Sequence, residues 1–194
     1  MMPKQKITKE MVVNAAFELA RDSGMGHVMV KHIADKLNCS VQPVYTYCNN
    51  MAGLHHDVGI KVNDFVHKYI SANIDKDNLF QSTGQAYVKL AKEEPHIFKI
   101  FVLKQRENIS SLNDLYQSEA SPQVASYIAK ELGISIDKAK QLHINMLIYT
   151  IGIGTILSVT TPGIPASEIL VQQENAYSAF VKQAMGDRRD NNNE

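Results

Sequence analysis

The chain of 194 residues carries no surplus of charge: 20 Lys and Arg balance 20 Asp and Glu. That excludes a protein that coats nucleic acid with a uniformly basic surface, and it leaves room for a local basic face. Cysteine is scarce. Cys39 and Cys48 alone cannot build a disulfide framework, so the simple reading is a reducing compartment and a cytoplasmic protein. The first ten residues lack an apolar stretch and carry Lys4, Lys6 and Lys9, so they do not read as a secretory signal. Also missing are the apolar–polar alternation of strands and any internal repeat. No paired carboxylates, nucleophile–base set or metal-ligand spacing stands out, and the expectation is no enzyme, no cofactor and no metal. His55-His56-Asp57 is no exception, because adjacent helical residues point in different directions.

What is present is apolar residue at helical spacing, 44% of the chain, which is enough for a core. Ile7, Met11, Ala15 and Leu19 step by four, with Thr8 placed to cap the helix and Gly24 to end it. Helices are further expected at 30–37, after Ser40, and at 51–73, 79–94, 95–105, 120–132, 136–159 and 166–185. The polar stretch 107–117 is read as a loop, Pro162 to Pro165 as a separator and 187–194 as a disordered tail. Residues 144–161 hold no charge, 18 in a row, but Asn145 and several Thr and Ser dilute them. A helix buried in an oligomer interface fits that run better than a membrane span, so no membrane is expected. The class is all-α.

The informative stretch is 33–54, IADKLNCSVQPVYTYCNNMAGL. Two short helices joined by a tight turn make a helix-turn-helix, whose second helix lies in a DNA major groove while the first crosses above it. Ile33, Ala34, Leu37 and Val44 supply its core, and Asn38 tolerates the left-handed backbone that the turn needs. Pro43 falls in the second helix's first turn, where its missing N–H costs nothing, and Ser40 is placed to cap it. Ser40, Gln42, Tyr45, Thr46 and Tyr47 have the chemistry to meet bases and phosphates.

This stretch resembles, without a gap, the DNA-binding signature of TetR-family transcriptional regulators, approximately I-A-x-x-L-G-V-S-x-x-x-L-Y-x-Y-F-x-x-K-x-x-L. The resemblance covers about 50 residues with the helix before it; the remainder matches the family only in architecture. It implies a three-helix DNA-binding domain over 1–50, a linking helix 51–73 and an effector-binding and dimerisation domain over 74–186. It implies a homodimer that binds a pseudo-palindromic operator, acts as a repressor and is released by a small, largely apolar effector. Position by position, Lys31, Ser40, Val41, Gln42, Pro43, Tyr45, Thr46 and Tyr47 are the implied DNA-contacting residues. Three positions depart from the pattern: Cys48 stands for Phe, Asn38 for Gly, and Met51 for a Lys that commonly meets phosphate. The departures motivate an alternative, a helical dimeric ligand-binding or interaction module whose head no longer reads DNA.

In the remainder, Tyr87, Phe98, Phe101, Tyr127, His143 and Tyr149 are candidate effector-pocket residues, each equally explained by core packing. Leu142, Met146, Ile153 and Ile156 on one helix, and Ile169, Ala176 and Phe180 on the next, are the candidate dimer face, because a helix apolar all round must be buried on both sides. Gly152 and Gly154 would let helices approach closely. Cys39 and Cys48 read as small core residues rather than a redox pair.

Overall fold

Thr8 opens the first helix, its hydroxyl accepting from the Met11 amide at 3.2 Å, and Gly24 closes it with φ at 84° and its own amide bonded to Ala20 O. The computed structural model describes residues 7–47, 50–120, 122–161 and 163–186. Cys48, Pro162 and the 187–194 tail therefore lie outside the described residues. All regular structure among the described residues is helical: α1 (Lys9–Ser23), a 3-10 turn (Met25–His27), α2 (Val30–Lys36), α3 (Val41–Tyr47), α4 (Met51–Asn73), α5 (Leu79–Glu93), α6 (Pro95–Val102), α7 (Leu112–Glu119), α8 (Pro122–Leu132), α9 (Ile136–Val159) and α10 (Ala166–Met185). The all-α class expected from the pattern is what is observed.

Two elements differ from the sequence reading. The stretch 107–117 is not a loop throughout: α7 starts at Leu112, capped by the Ser111 hydroxyl, which accepts from Asp114 N at 3.1 Å. Its polar composition hides it, since Tyr116 is the one side chain it buries. The helix expected to reach 105 stops at Val102, where the Arg106 guanidinium turns back and donates to Val102 O at 3.0 Å and Lys104 O at 3.2 Å. A side chain thus takes over carbonyls that a further helical turn would have satisfied.

The main core runs without a break from α1 (Val12, Ala16, Ala20) through Ile33 and Val44 to Leu54, Val58, Val62 and Val66 on α4, then to Leu90, Ile97 and Phe98. A second cluster joins Ile128 and Ala129 of α8 to Ala139, Leu142 and Met146 of α9, with Phe180 against it. The long helix α9 meets α5, α6, α8 and α10. It is long and apolar enough by composition to cross a membrane. Its Leu142, Met146, Thr150, Gly154 and Leu157 are buried against the chain's own helices.

Two glycines in α9 have different roles. A Cβ at Gly154 would strike the Phe98 ring, with two further ring carbons at 3.0 and 3.1 Å, so α6 and α9 touch at this point because no side chain intervenes. Gly152 faces open space.

Candidate nucleic-acid interface and internal cavity

The turn between α2 and α3 is built from backbone. Leu37 N bonds to Ile33 O at 2.9 Å, Asn38 N to Asp35 O at 3.1 Å and Cys39 N to Ala34 O at 3.0 Å. Asn38 sits at φ 51°, the left-handed conformation that its short amide side chain tolerates. Ala34 is 2% exposed, so α2 lies close against its neighbours.

On α3 only Val44 is fully buried. Val41, Gln42, Tyr45 and Thr46 face outward, with Tyr45 58% exposed. Thr46 donates back to Gln42 O at 3.0 Å, which fixes its hydroxyl on the helix. Pro43 is half-buried, as is Tyr47, whose ring packs on the main core. Ser40 and Lys31 are exposed. The Ser40 hydroxyl does not form the expected cap among the described residues. The helix holds no charged residue, so any cation for phosphates must come from outside it. Nearby cations are partly engaged: Lys9 pairs with Asp57 at 2.8 Å and Lys36 reaches Asp22 at 3.8 Å. Lys31 has no ion pair among the described residues. Met51 begins α4 behind the Asn50 cap, whose amide oxygen accepts from Gly53 N at 2.7 Å.

A cavity of about 640 Å³ lies in the body, walled by α4 to α10. Tyr87, Phe98, Phe101, Tyr127 and His143 all line it, and so do residues the sequence reading missed: Phe80, Lys104, Arg106, Glu119, Thr150 and Tyr177. Their chemistry gave no advance signal, because Lys104 and Arg106 sit in what reads as featureless polar chain. Tyr149 is the exception among the candidates. Its hydroxyl donates to Gln172 O at 3.1 Å and its ring meets Phe180 edge-on, so it joins α9 to α10 and leaves the cavity to its neighbours.

Inside, Tyr87 stacks on Phe101 and Phe80 meets both His143 and Tyr177. Burial, with the Glu119 charge adding to it, raises the Tyr87 hydroxyl above its ordinary value. Burial lowers His143 from 6.5 to about 4, so the ring is neutral near pH 7. Its Nδ1 stands 3.3 Å from the Tyr116 hydroxyl. Arg106 donates to Glu119 at 2.7 Å, and Lys104 lies over the Phe101 ring. Behind the wall, Gln173 is 3% exposed; its amide nitrogen donates to Thr150 at 3.3 Å and its oxygen has no partner among the described residues.

The candidate dimer face divides. Leu142, Met146 and Ile169 turn into the chain's own core, and Met146 lines the cavity, so these three cannot meet a partner. Ile153, Ala176 and Phe180 are half-buried, and Ile156 is 55% exposed. The exposed large apolar residues of α9 are Ile136 at its start and Ile148, Ile156 and Val159 further along; on α10 they are Leu170, Val171 and Met185. Because α9 is apolar all round, its sequence does not say which face turns outward.

His96 stands apart from the cavity, against Gly24 at the junction of head and body, its pKa lowered by burial and by Lys99 and His27 nearby. Among the described residues no cluster of His, Cys, Asp or Glu is placed to hold a metal.

No family model matches the chain. It is 23% identical over 107 residues to the uncharacterised HTH-type transcriptional regulator YobS of Bacillus subtilis (strain 168), a match that spans 54% of this chain and 56% of that protein's length. Among solved structures it is similar to a transcriptional regulator from Rhodococcus sp. Rha1, with a TM-score of 0.59 and 12% identity over 90% of this chain and 96% of that one. The chain thus has a relative named as a helix-turn-helix transcriptional regulator and the fold of a transcriptional regulator.

Proposed function

We propose that the protein is a TetR-type transcriptional regulator, a cytoplasmic repressor without enzymatic activity. It binds a pseudo-palindromic operator as a homodimer and is released when a small, largely apolar effector fills the cavity. The observation that carries this reading is α3: seven residues held by one buried valine, presenting Val41, Gln42, Tyr45 and Thr46 outward after a tight left-handed turn at Asn38. That is the geometry of a helix that enters a major groove. Gln42 reads a base edge, adenine being its natural partner. Lys31, Ser40, Thr46 and Tyr47 position the head on phosphates, Tyr45 packs and approaches the backbone, and Val41 and Pro43 complete the helix's leading edge. The domain division is 1–50, linker 51–73 and 74–186. The homodimer is supported by the exposed Ile148, Ile156 and Val159 of α9 and Val171 of α10, too many large apolar groups for one helix pair to leave in water.

Release follows from differential affinity: the effector must bind the spacing of heads that does not fit the operator more tightly than the spacing that does. The test is selection from random duplexes at low salt, followed by gel shift. Enrichment of a palindrome, lost in Gln42→Ala and Tyr45→Ala while the oligomer is unchanged, is the expected result. Wild-type affinity in both variants would overturn the assignment of α3.

One observation favours the second reading, a ligand-binding dimer whose head does not read DNA: α3 carries no cation, and two head lysines are paired with Asp57 and Asp22. Failure to enrich any duplex at low salt, where phosphate contacts are strongest, selects that alternative.

A further inference from the structure

The charged groups around the cavity do not cancel. Glu119 is the one acid in its wall, against Lys104 and Arg106. Arg106 is committed: it holds Glu119 at 2.7 Å and the carbonyls of Val102 and Lys104, and so fixes the turn that follows α6. Lys104 is not. Its Nζ lies 3.9 Å from the same Glu119 oxygen, beyond hydrogen-bond range, and 5.2 Å over the Phe101 ring. An ammonium group thus stands over an aromatic wall, with no acceptor within hydrogen-bond range among the described residues.

The second open group is His143. Its Nδ1 faces the Tyr116 hydroxyl at 3.3 Å. If Tyr116 donates, the neutral ring carries its proton on Nε2 and a single donor is left open; the other tautomer leaves both the Tyr116 proton and the Nε2 lone pair open. The first arrangement satisfies more of the buried polar groups, and it makes Nε2–H a donor with no partner among the described residues. Lys104 and His143 thus offer the cavity two open donors, one of them charged, in a wall that also carries the hydroxyls of Tyr87 and Tyr177 and is rich in aromatic rings.

We propose that the cavity takes an organic anion, a carboxylate on an apolar body, whose acceptor-rich head is recognised by Lys104 and the His143 ring. The inference names the effector class for the regulator reading and rests on the cavity being that reading's effector site. A cationic amphiphile is disfavoured because Glu119, the acid it would need, is already satisfied by Arg106. A neutral body of the same shape gains the aromatic wall and forfeits the two donors. The volume suits a drug-sized body.

The test is calorimetric titration of the full chain with three probes on one alkyl body: decanoate, decanol and decyltrimethylammonium. The expected order is decanoate tightest, by about tenfold over decanol, which is the worth of one charge-assisted contact, with decyltrimethylammonium weakest. Lys104→Gln, a change at a half-exposed side chain, removes the decanoate preference and leaves decanol affinity unchanged. Equal or tighter binding of decyltrimethylammonium overturns the proposal. So does a preference that survives Lys104→Gln, and so does the absence of binding by all three. The duplex selection on the same preparation separates the two readings. A reversed preference with an enriched palindrome overturns the anion and leaves the regulator; a decanoate preference with no enriched duplex upholds the anion and overturns the regulator.

Discussion

Arg21 at the end of α1 and Glu94 between α5 and α6 form a two-pronged ion pair, with Arg21 Nε donating to Glu94 Oε2 at 2.8 Å and Nη2 to Oε1. The guanidinium also lies over the Phe65 ring, 5.1 Å from its centroid. Glu94 is the residue between α5 and α6, and α6 carries Phe98 and Phe101 to the cavity wall. The pair therefore fastens the last turn of α1 to the joint between two cavity helices.

The Glu94 side chain is 14% exposed, so removing its partner leaves a carboxylate largely out of water. Arg21→Met is expected to cost about 2 kcal/mol in urea unfolding. In a double-mutant cycle with Glu94→Gln the two losses should fall short of additive by about 1–2 kcal/mol. Additive losses would mean that the pair contributes nothing beyond its separate side chains.

The α6–α9 crossing gives a contrast between two glycines. At Gly154 an added methyl meets the fully buried Phe98 ring, which could give way only by shifting out of its packed position toward the cavity it lines. Gly154→Ala is expected to destabilise by about 2–3 kcal/mol through overpacking. Gly59, in the middle of α4, would have nothing within 4 Å of an added methyl, and Gly59→Ala should stabilise by about 0.5–1 kcal/mol through helix propensity alone. Thermal melts that move in the same direction for both would sink the argument. Partial recovery of Gly154→Ala by Phe98→Leu would locate the strain at the ring.

Much of the fold was legible because local signals agreed with one another. The bounds 51–73, 136–159 and 166–185 are those observed, and Thr8 and Ser135 cap as their chemistry suggests. The helix α7 was hidden because it buries one side chain, so no apolar stripe marks it. The cavity wall was half legible. Aromatic residues advertise themselves, but Lys104 and Arg106 reach it only because a guanidinium folds back on the end of α6, a tertiary event without a sequence period. The outward face of α9 was not legible at all, since Leu142, Met146, Ile148 and Ile156 are the same kind of residue and packing alone sends the first two inward.

That outward face yields a prediction about assembly. Ile148 is 50% exposed and Ile156 55%, and two turns of helix separate them on one side of α9. Burying both in a four-helix interface would contribute about 2–4 kcal/mol per protomer. The wild type is expected to sediment as a dimer at micromolar concentration. The Ile148→Glu/Ile156→Glu double variant should sediment as a monomer with unchanged helicity, because neither side chain supports the protomer's own core. A dimer that survives both charges lies on another surface, and a wild-type monomer removes the homodimer altogether.

His143 supplies a pH dependence whose sign is fixed. Burial holds the ring near 4 in the folded chain against an ordinary 6.5. Between those values the unfolded chain binds the extra proton and the folded chain does not, so stability falls as the solution is acidified. The contribution is fully present above 6.5 and is lost progressively as pH drops toward 4, by at most about 3 kcal/mol. Carboxylates that titrate over the same range depress stability too, so the measurement must be a difference. His143→Gln keeps a polar group opposite the Tyr116 hydroxyl but cannot titrate. Urea midpoints for wild type and variant, followed from neutrality to about pH 4, should converge as pH falls, the wild type losing more. Parallel curves would mean that the ring reaches water and that the Tyr116–His143 corner of the cavity is open to solvent.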